Sequence, residues 1–120
     1  MAIGGDAAAQ LWNAASSGQL TMEPDAAREV AGAYLRFAAT CDGWVKDAAH
    51  LQSIHGFGSL NSALQLQKGF ADKAASAVQV LEQMASAARG MADGYLQAAG
   101  ILGEADQLTA SALSSISRQA

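Results

Sequence analysis

A chain of 120 residues, 51% apolar and 15% charged, has the length of one folded domain and too much apolar content for a disordered one. Seven Lys and Arg against eleven Asp and Glu give a net charge of −4 with no basic cluster, which argues against nucleic acid as a partner. No stretch approaches a membrane span, and Met1 to Asp6 lack the basic and apolar regions of a secretory signal peptide, so the ordinary export routes are not expected.

In chain order, residues 1–23 read as an N-terminal arm or short helix. The Ala-rich opening carries Leu11 and Trp12 and is broken at Ser16-Ser17-Gly18. Gln19 to Met22 alternates polar and apolar, which fits a brief extended piece laying Leu20 and Met22 on the rest of the molecule. Pro24 suits the first turn of a helix, and Asp25 and Glu29 place negative charge near its positive end. That helix is expected over 24–53. A turn follows over 54–59, where Gly56-Phe57-Gly58 can reverse the chain. Ser59 and Ser62 are candidate caps for the next helix, and Ser62 with Gln65 has the spacing of a capping box. The second helix is expected over 60–117. If continuous it would run ~87 Å against ~45 Å for the first, at about 1.5 Å per residue. Its surplus half either reaches a partner chain, the favoured expectation, or folds back at a break near 100–103, where Gly100 and Gly103 lie.

Both helices carry an unbroken 4-3 spacing of apolar residues. The first seam reads Ala27, Val30, Tyr34, Phe37, Cys41, Trp44, Ala48, Leu51. The second reads Phe70, Ala74, Ala77, Leu81, Met84, Ala88, Met91, Tyr95, Ala98, Leu102, Ala105, Thr109, Ala112, Ile116. A period near 3.5 keeps one face of a helix turned toward a neighbour. Bulk is concentrated on the first seam and small residues with methionine on the second, so aromatic knobs of one helix are expected to interlock with the small surface of the other. Phe37, Trp44, Leu81, Met84, Met91, Tyr95 and Leu102 are the candidate spine or partner interface. Because so much of the apolar content is alanine, whose burial contributes little, a partner is expected to supply part of the core.

Chemistry is sparse. Cys41 is the single cysteine, lies on an apolar seam and is read as a buried thiol. His50 and His55 lack the further ligands of a zinc site, no serine has a visible base and orienting carboxylate, and Gly56-Phe57-Gly58 lacks the lysine of a phosphate loop. Gly90 and Gly94 form a small-xxx-small pair, read as a place of close helix contact in water because Arg89 and Asp93 adjoin it. Neither catalysis, metal nor cofactor is expected.

Over residues 24–117 the chain resembles the WxG family of small type VII secretion substrates. The likeness is carried by Gly56-Phe57-Gly58-Ser59-Leu60, by Lys68-Gly69-Phe70-Ala71-Asp72-Lys73-Ala74 and by Met91-Ala92-Asp93-Gly94-Tyr95 through Gly100. Two departures stand beside it: Phe57-Gly58 occupies the place of the family's Trp-x-Gly turn, and Tyr95 is followed four residues on by Ala99 rather than by the acidic residue of the family's export signal. The resemblance implies an all-α antiparallel helical hairpin that pairs with a second hairpin into a four-helix bundle. It further implies the partner that lacks the signal, cytoplasmic before export and then secreted or held at the cell surface with the helical chain that carries it, either a small hairpin or the N-terminal domain of a larger effector or toxin. A cytoplasmic chaperone that masks a helical segment and a self-assembling coiled-coil protein use the same seams and remain alternatives.

Overall fold

Pro24 does open the longest element of the first half, and the carboxylate that caps it is Glu23, whose side chain accepts the N–H groups of Asp25 and Ala26 at 3.2 and 3.0 Å. The computed structural model describes residues 4–51, 58 and 60–119 and is all-α: α1 Gly5–Ser16, α2 Pro24–Leu51, α3 Asn61–Ala98 and α4 Ala105–Gln119, with a short 3-10 turn at Leu102–Glu104. The N-terminal arm is therefore a helix. Of the expected hairpin turn, Gly56 and Phe57 lie outside the described residues, as does Ser59; Gly58 is exposed with φ +88°.

The expected capping box does not form. Leu60 holds the extended N-cap position of α3 (φ −69°, ψ 141°) without a side-chain cap, and Ser62 is already inside the helix, where it cannot serve as the N-cap that a capping box requires.

Of the two expectations for the second long helix, the break near 100–103 is the one observed: the helix does not continue to 117 but stops at Ala98, and the chain folds back. Gly100 takes φ +72°, its N–H donates to the Gln97 carbonyl at 3.0 Å, and the Ile101 N–H donates to the Leu96 carbonyl at 2.9 Å. This is a Schellman closure, sealed by Ile101 packing on the cluster that holds Leu96. α4 then runs back along α2. The return is fastened where Arg28 donates from Nε and a terminal nitrogen to both carboxylate oxygens of Glu104, at 2.8 and 2.9 Å.

α2 and α3 are antiparallel and pack along most of their shared length, α1 packs on α3 alone, and α4 packs chiefly on α2. α1 runs parallel to α3, since Gly4 faces Ala87, Ala8 faces Gly90 and Leu11 faces Gly94. The loop between α1 and α2 crosses the end of α3, where the Met22 N–H donates to the Ala98 carbonyl at 3.1 Å, with Leu20 and Met22 half-buried. The result is long and flat, 62 × 34 × 16 Å, with a radius of gyration of 18.5 Å. A compact chain of this length would have about 14 Å.

The α2–α3 contact line is built from small side chains. Ala38, Cys41, Ala85 and Ala88 form one buried cluster, and Ala31, Leu35, Ala92 and Leu96 form another that Ala112 of α4 completes. The expected interlocking of aromatic knobs with a small surface is met by Tyr34, which packs against both clusters, but not by Phe37 and Trp44. Alanine against alanine lets the backbones approach until no room is left for a ring, so Phe37 and Trp44 stand outside, 41% and 49% exposed.

Because Leu96 is fully buried at the centre of the cluster formed with Ala31, Leu35, Ala92 and Ala112, Leu96→Ala should cost about 2–5 kcal/mol, measured by urea denaturation. A side chain at Gly94 would place its Cβ 2.7 Å from Leu11 atoms, so Gly94→Ala should loosen α1, seen as faster amide exchange over 5–16, and Leu11→Ala in the same chain should restore protection.

Candidate docking face

Around α3, three lines of residues face three different neighbours. Gly90 and Gly94 turn to α1; Ala88 and Ala92 turn to α2. Met91 lies one residue from both Gly90 and Ala92, hence about 100° around the helix from each. It faces neither flank but the open side between them. Arg89 and Asp93, two residues to either side of Met91, lie about 160° away and mark the rear.

The open side is apolar. Met84, Ala87, Ala88 and Met91 of α3, Tyr34 and Phe37 of α2, and Gly4 and Ala7 of α1 line one open cavity of about 300 Å³. Tyr34 stacks on Tyr95 with ring centres 5.9 Å apart and planes 18° off parallel. The face continues by heptads: Phe37, Trp44 and Leu51 recur every seven residues on α2, and Met91, Met84, Ala77 and Phe70 do so on α3. Leu51 and Phe70 are about half exposed, as Trp44 is.

The rear is polar and already occupied. The guanidinium of Arg89 pairs with Asp42 across the hairpin, Arg28 pairs with Glu104, and α4 lies against α2. Burial pushes the Asp93 carboxyl above its ordinary pKa, and the charge of Asp106 adds to the rise; the hydrogen bond from Arg28 holds Glu104 below its own. Cys41 is buried as expected, and desolvation followed by the charge of Asp42 raises its thiol pKa, away from the reactive thiolate.

Of the seven candidate interface residues, the structure gathers Phe37, Met84 and Met91 at one cavity and sets Trp44 one heptad along the same face. Tyr95 joins through its stack on Tyr34. Leu81 packs instead against the small-residue cluster of the hairpin, and Leu102, drawn into the turn before α4, packs against the cluster around Leu96. Sequence reasoning missed Gly4, Ala7 and Ala87. Its one signal for them was the Gly90/Gly94 pair, a place of close helix contact whose occupant proves to be α1.

Among the described residues no group of three His, Cys, Asp or Glu side chains could hold a metal ion, and no helix is long and apolar enough to cross a membrane. Comparison with protein-family models, with curated proteins and with solved structures gives no match.

The raised Asp93 sets a pH dependence. A carboxyl whose folded pKa exceeds its unfolded value of 3.8 favours the fold when protonated, fully so below 3.8, and that contribution is lost as pH rises through the folded value. Asp93→Asn should therefore raise the melting temperature at about pH 7 and leave it nearly unchanged at about pH 3. The Arg28–Glu104 contribution has the opposite sign: it is present above the unfolded Glu104 value of 4.5 and fades as pH falls through the lower folded one, so Glu104→Gln should cost stability at about pH 7 and little at about pH 3. Both are checked by thermal melts at the two pH values.

Proposed function

We propose that this chain is a non-enzymatic docking protein that binds a helical partner through the apolar open face and accompanies that partner in type VII export. The observation that carries the reading is the inversion of side-chain size. Among the described residues, eleven of the fourteen buried apolar ones are alanine, while Phe37, Trp44, Leu51 and Phe70 lie about half exposed on one side of the hairpin. Isolated exposed apolar residues are ordinary, but a continuous row of this kind marks an interaction surface. A domain normally buries its apolar faces between two layers of secondary structure, and on this side the second layer is missing.

A helical hairpin laid over α2 and α3 supplies that layer and makes, with those two, a four-helix cross-section. The export part of the reading rests on the WxG resemblance in the cadence of α3 and on the absence of the family's tyrosine-based signal near Tyr95, which favours export as a passenger of a signal-bearing partner. Nothing in the arrangement requires chemistry at the face: its lining is apolar, and recognition follows from shape and burial.

The test is co-expression with the products of neighbouring genes, followed by light scattering of the purified chain and of any complex. A stable one-to-one complex is expected, and export of this chain should be lost when the partner gene is deleted. Phe37→Asp and Met91→Asp, both at solvent-accessible positions, should leave the monomer folded and weaken the complex by several kcal/mol, roughly the cost of burying an unpaired charge. Complex formation that survives both substitutions would place the interface elsewhere.

A further inference from the structure

On the side of α3 turned away from the apolar face, we infer a second binding site: the open groove between α1 and α3, lined by the Trp12 indole and the Asp93 carboxylate, takes the guanidinium of an arginine side chain presented by a protein partner. The parallel register of the two helices builds it. Ala8 faces Gly90 and Leu11 faces Gly94, so Trp12, one turn beyond Ala8, shares a groove with Asp93, three residues beyond Gly90. With Ala8, Ala9 and Gly90 these two side chains line an open cavity of about 410 Å³. The bare backbone at Gly90 is what lets α1 come this near, since a Cβ there would stand 3.0 Å from that of Ala8.

Charge and aromatic character together name the guest. Among the described residues Asp93 enters no ion pair: Arg89, one turn before it, is held by Asp42, and Arg28 is shared between Asp25 and Glu104. The charge that does act on Asp93 is that of Asp106, in the first turn of α4, and it too is negative. A half-buried carboxylate beside a second acid and without a cation of its own attracts an incoming one. It also costs the fold stability at neutral pH, through the desolvation that raises the Asp93 pKa, and a bound cation offsets that cost. Trp12, more than a third exposed, supplies the aromatic face on which a cation binds best. Arginine suits the pair better than lysine. Its planar fork stacks on an indole while its N–H groups reach a carboxylate, and it gives up water more readily than an ammonium. The volume exceeds the ~150 Å³ that holds a benzene ring, which leaves room for the apolar stem against Ala8 and Ala9.

The probe is a blocked peptide of about five residues with one central arginine and alanine and glycine elsewhere, titrated into the full chain at low salt and about pH 7. Binding is followed by the indole N–H NMR signals of Trp12 and Trp44 and by the side-chain carboxyl signal of Asp93. Saturable shifts at Trp12 and Asp93 are expected, with Trp44 unmoved. Asp93→Asn should weaken binding at least about tenfold. Because the same substitution is expected to raise the melting temperature at about pH 7, that loss is separable from unfolding. Trp12→Leu should weaken binding about two- to fivefold. Unchanged affinity in Asp93→Asn, equal shifts at Trp12 and Trp44, equal binding of a peptide with norleucine in place of arginine, or no binding at all would each overturn the site; a lysine peptide that binds as tightly would overturn the guanidinium as its guest. Phe37→Asp, on the apolar face, should leave the peptide's affinity unchanged, so the failure of this site and that of the docking reading are told apart.

Discussion

How closely α2 and α3 approach is set by the side chains between them, and those side chains are almost all methyl groups. Ala31, Ala38, Ala85, Ala88 and Ala92, with Cys41, draw the two backbones together. Close approach maximises dispersion contact along the line but leaves no volume for a ring. The larger residues of the seams consequently lie at the edges of the line, where Tyr34, Leu81 and Met84 pack against its clusters. Leu35 and Leu96 find space where α4 comes over the end of the hairpin; Phe37, Trp44 and Phe70 stay about half exposed.

Glycine determines which sides of this hairpin become covered. The left-handed Gly100 reverses the chain so that α4 returns along α2 at the rear, where the Arg28–Glu104 pair holds it. Gly90 and Gly94 provide a furrow on the outer flank of α3 into which Ala8 and Leu11 of α1 fit. The chain itself thereby covers α2 at the rear and the outer flank of α3, with ion pairs and a raised Asp93 pKa recording the partial desolvation behind the hairpin, while an open groove lined by Ala8, Ala9, Trp12, Gly90 and Asp93 remains behind α1 and α3. Among the described residues the front has no such closure. Its lining contains no charge, so nothing opposes burial there by an apolar partner.

The open face offers apolar shape rather than groups for directional bonds. The stacked Tyr34 and Tyr95 give it a firm edge near the closed end of the molecule, whereas Met84 and Met91 keep the centre adaptable.

The seam periodicity, Pro24 and the glycine-rich region after Leu51 were enough to read an all-α chain with two long helices, because helix formation is a local matter of spacing and backbone preference. The large residues of the docking face were legible for the same reason: a heptad puts Phe37 and Trp44, or Met84 and Met91, on one side of a helix whatever surrounds it. Two outcomes depended on competition between distant segments and could not be read locally. Whether the helix passed Gly100 or turned there depended on the burial that α4 gains against Ala31, Leu35 and Leu96, more than sixty residues away in the case of Leu35, and that gain does not appear in the pattern around Gly100 itself. Whether the hairpin closed on its aromatic or its alanine residues depended on which line allowed the helices nearest each other, a property of the pair and of neither helix alone. Tertiary packing chose the alanines, and by doing so turned residues that the sequence marks only as apolar into an exposed surface.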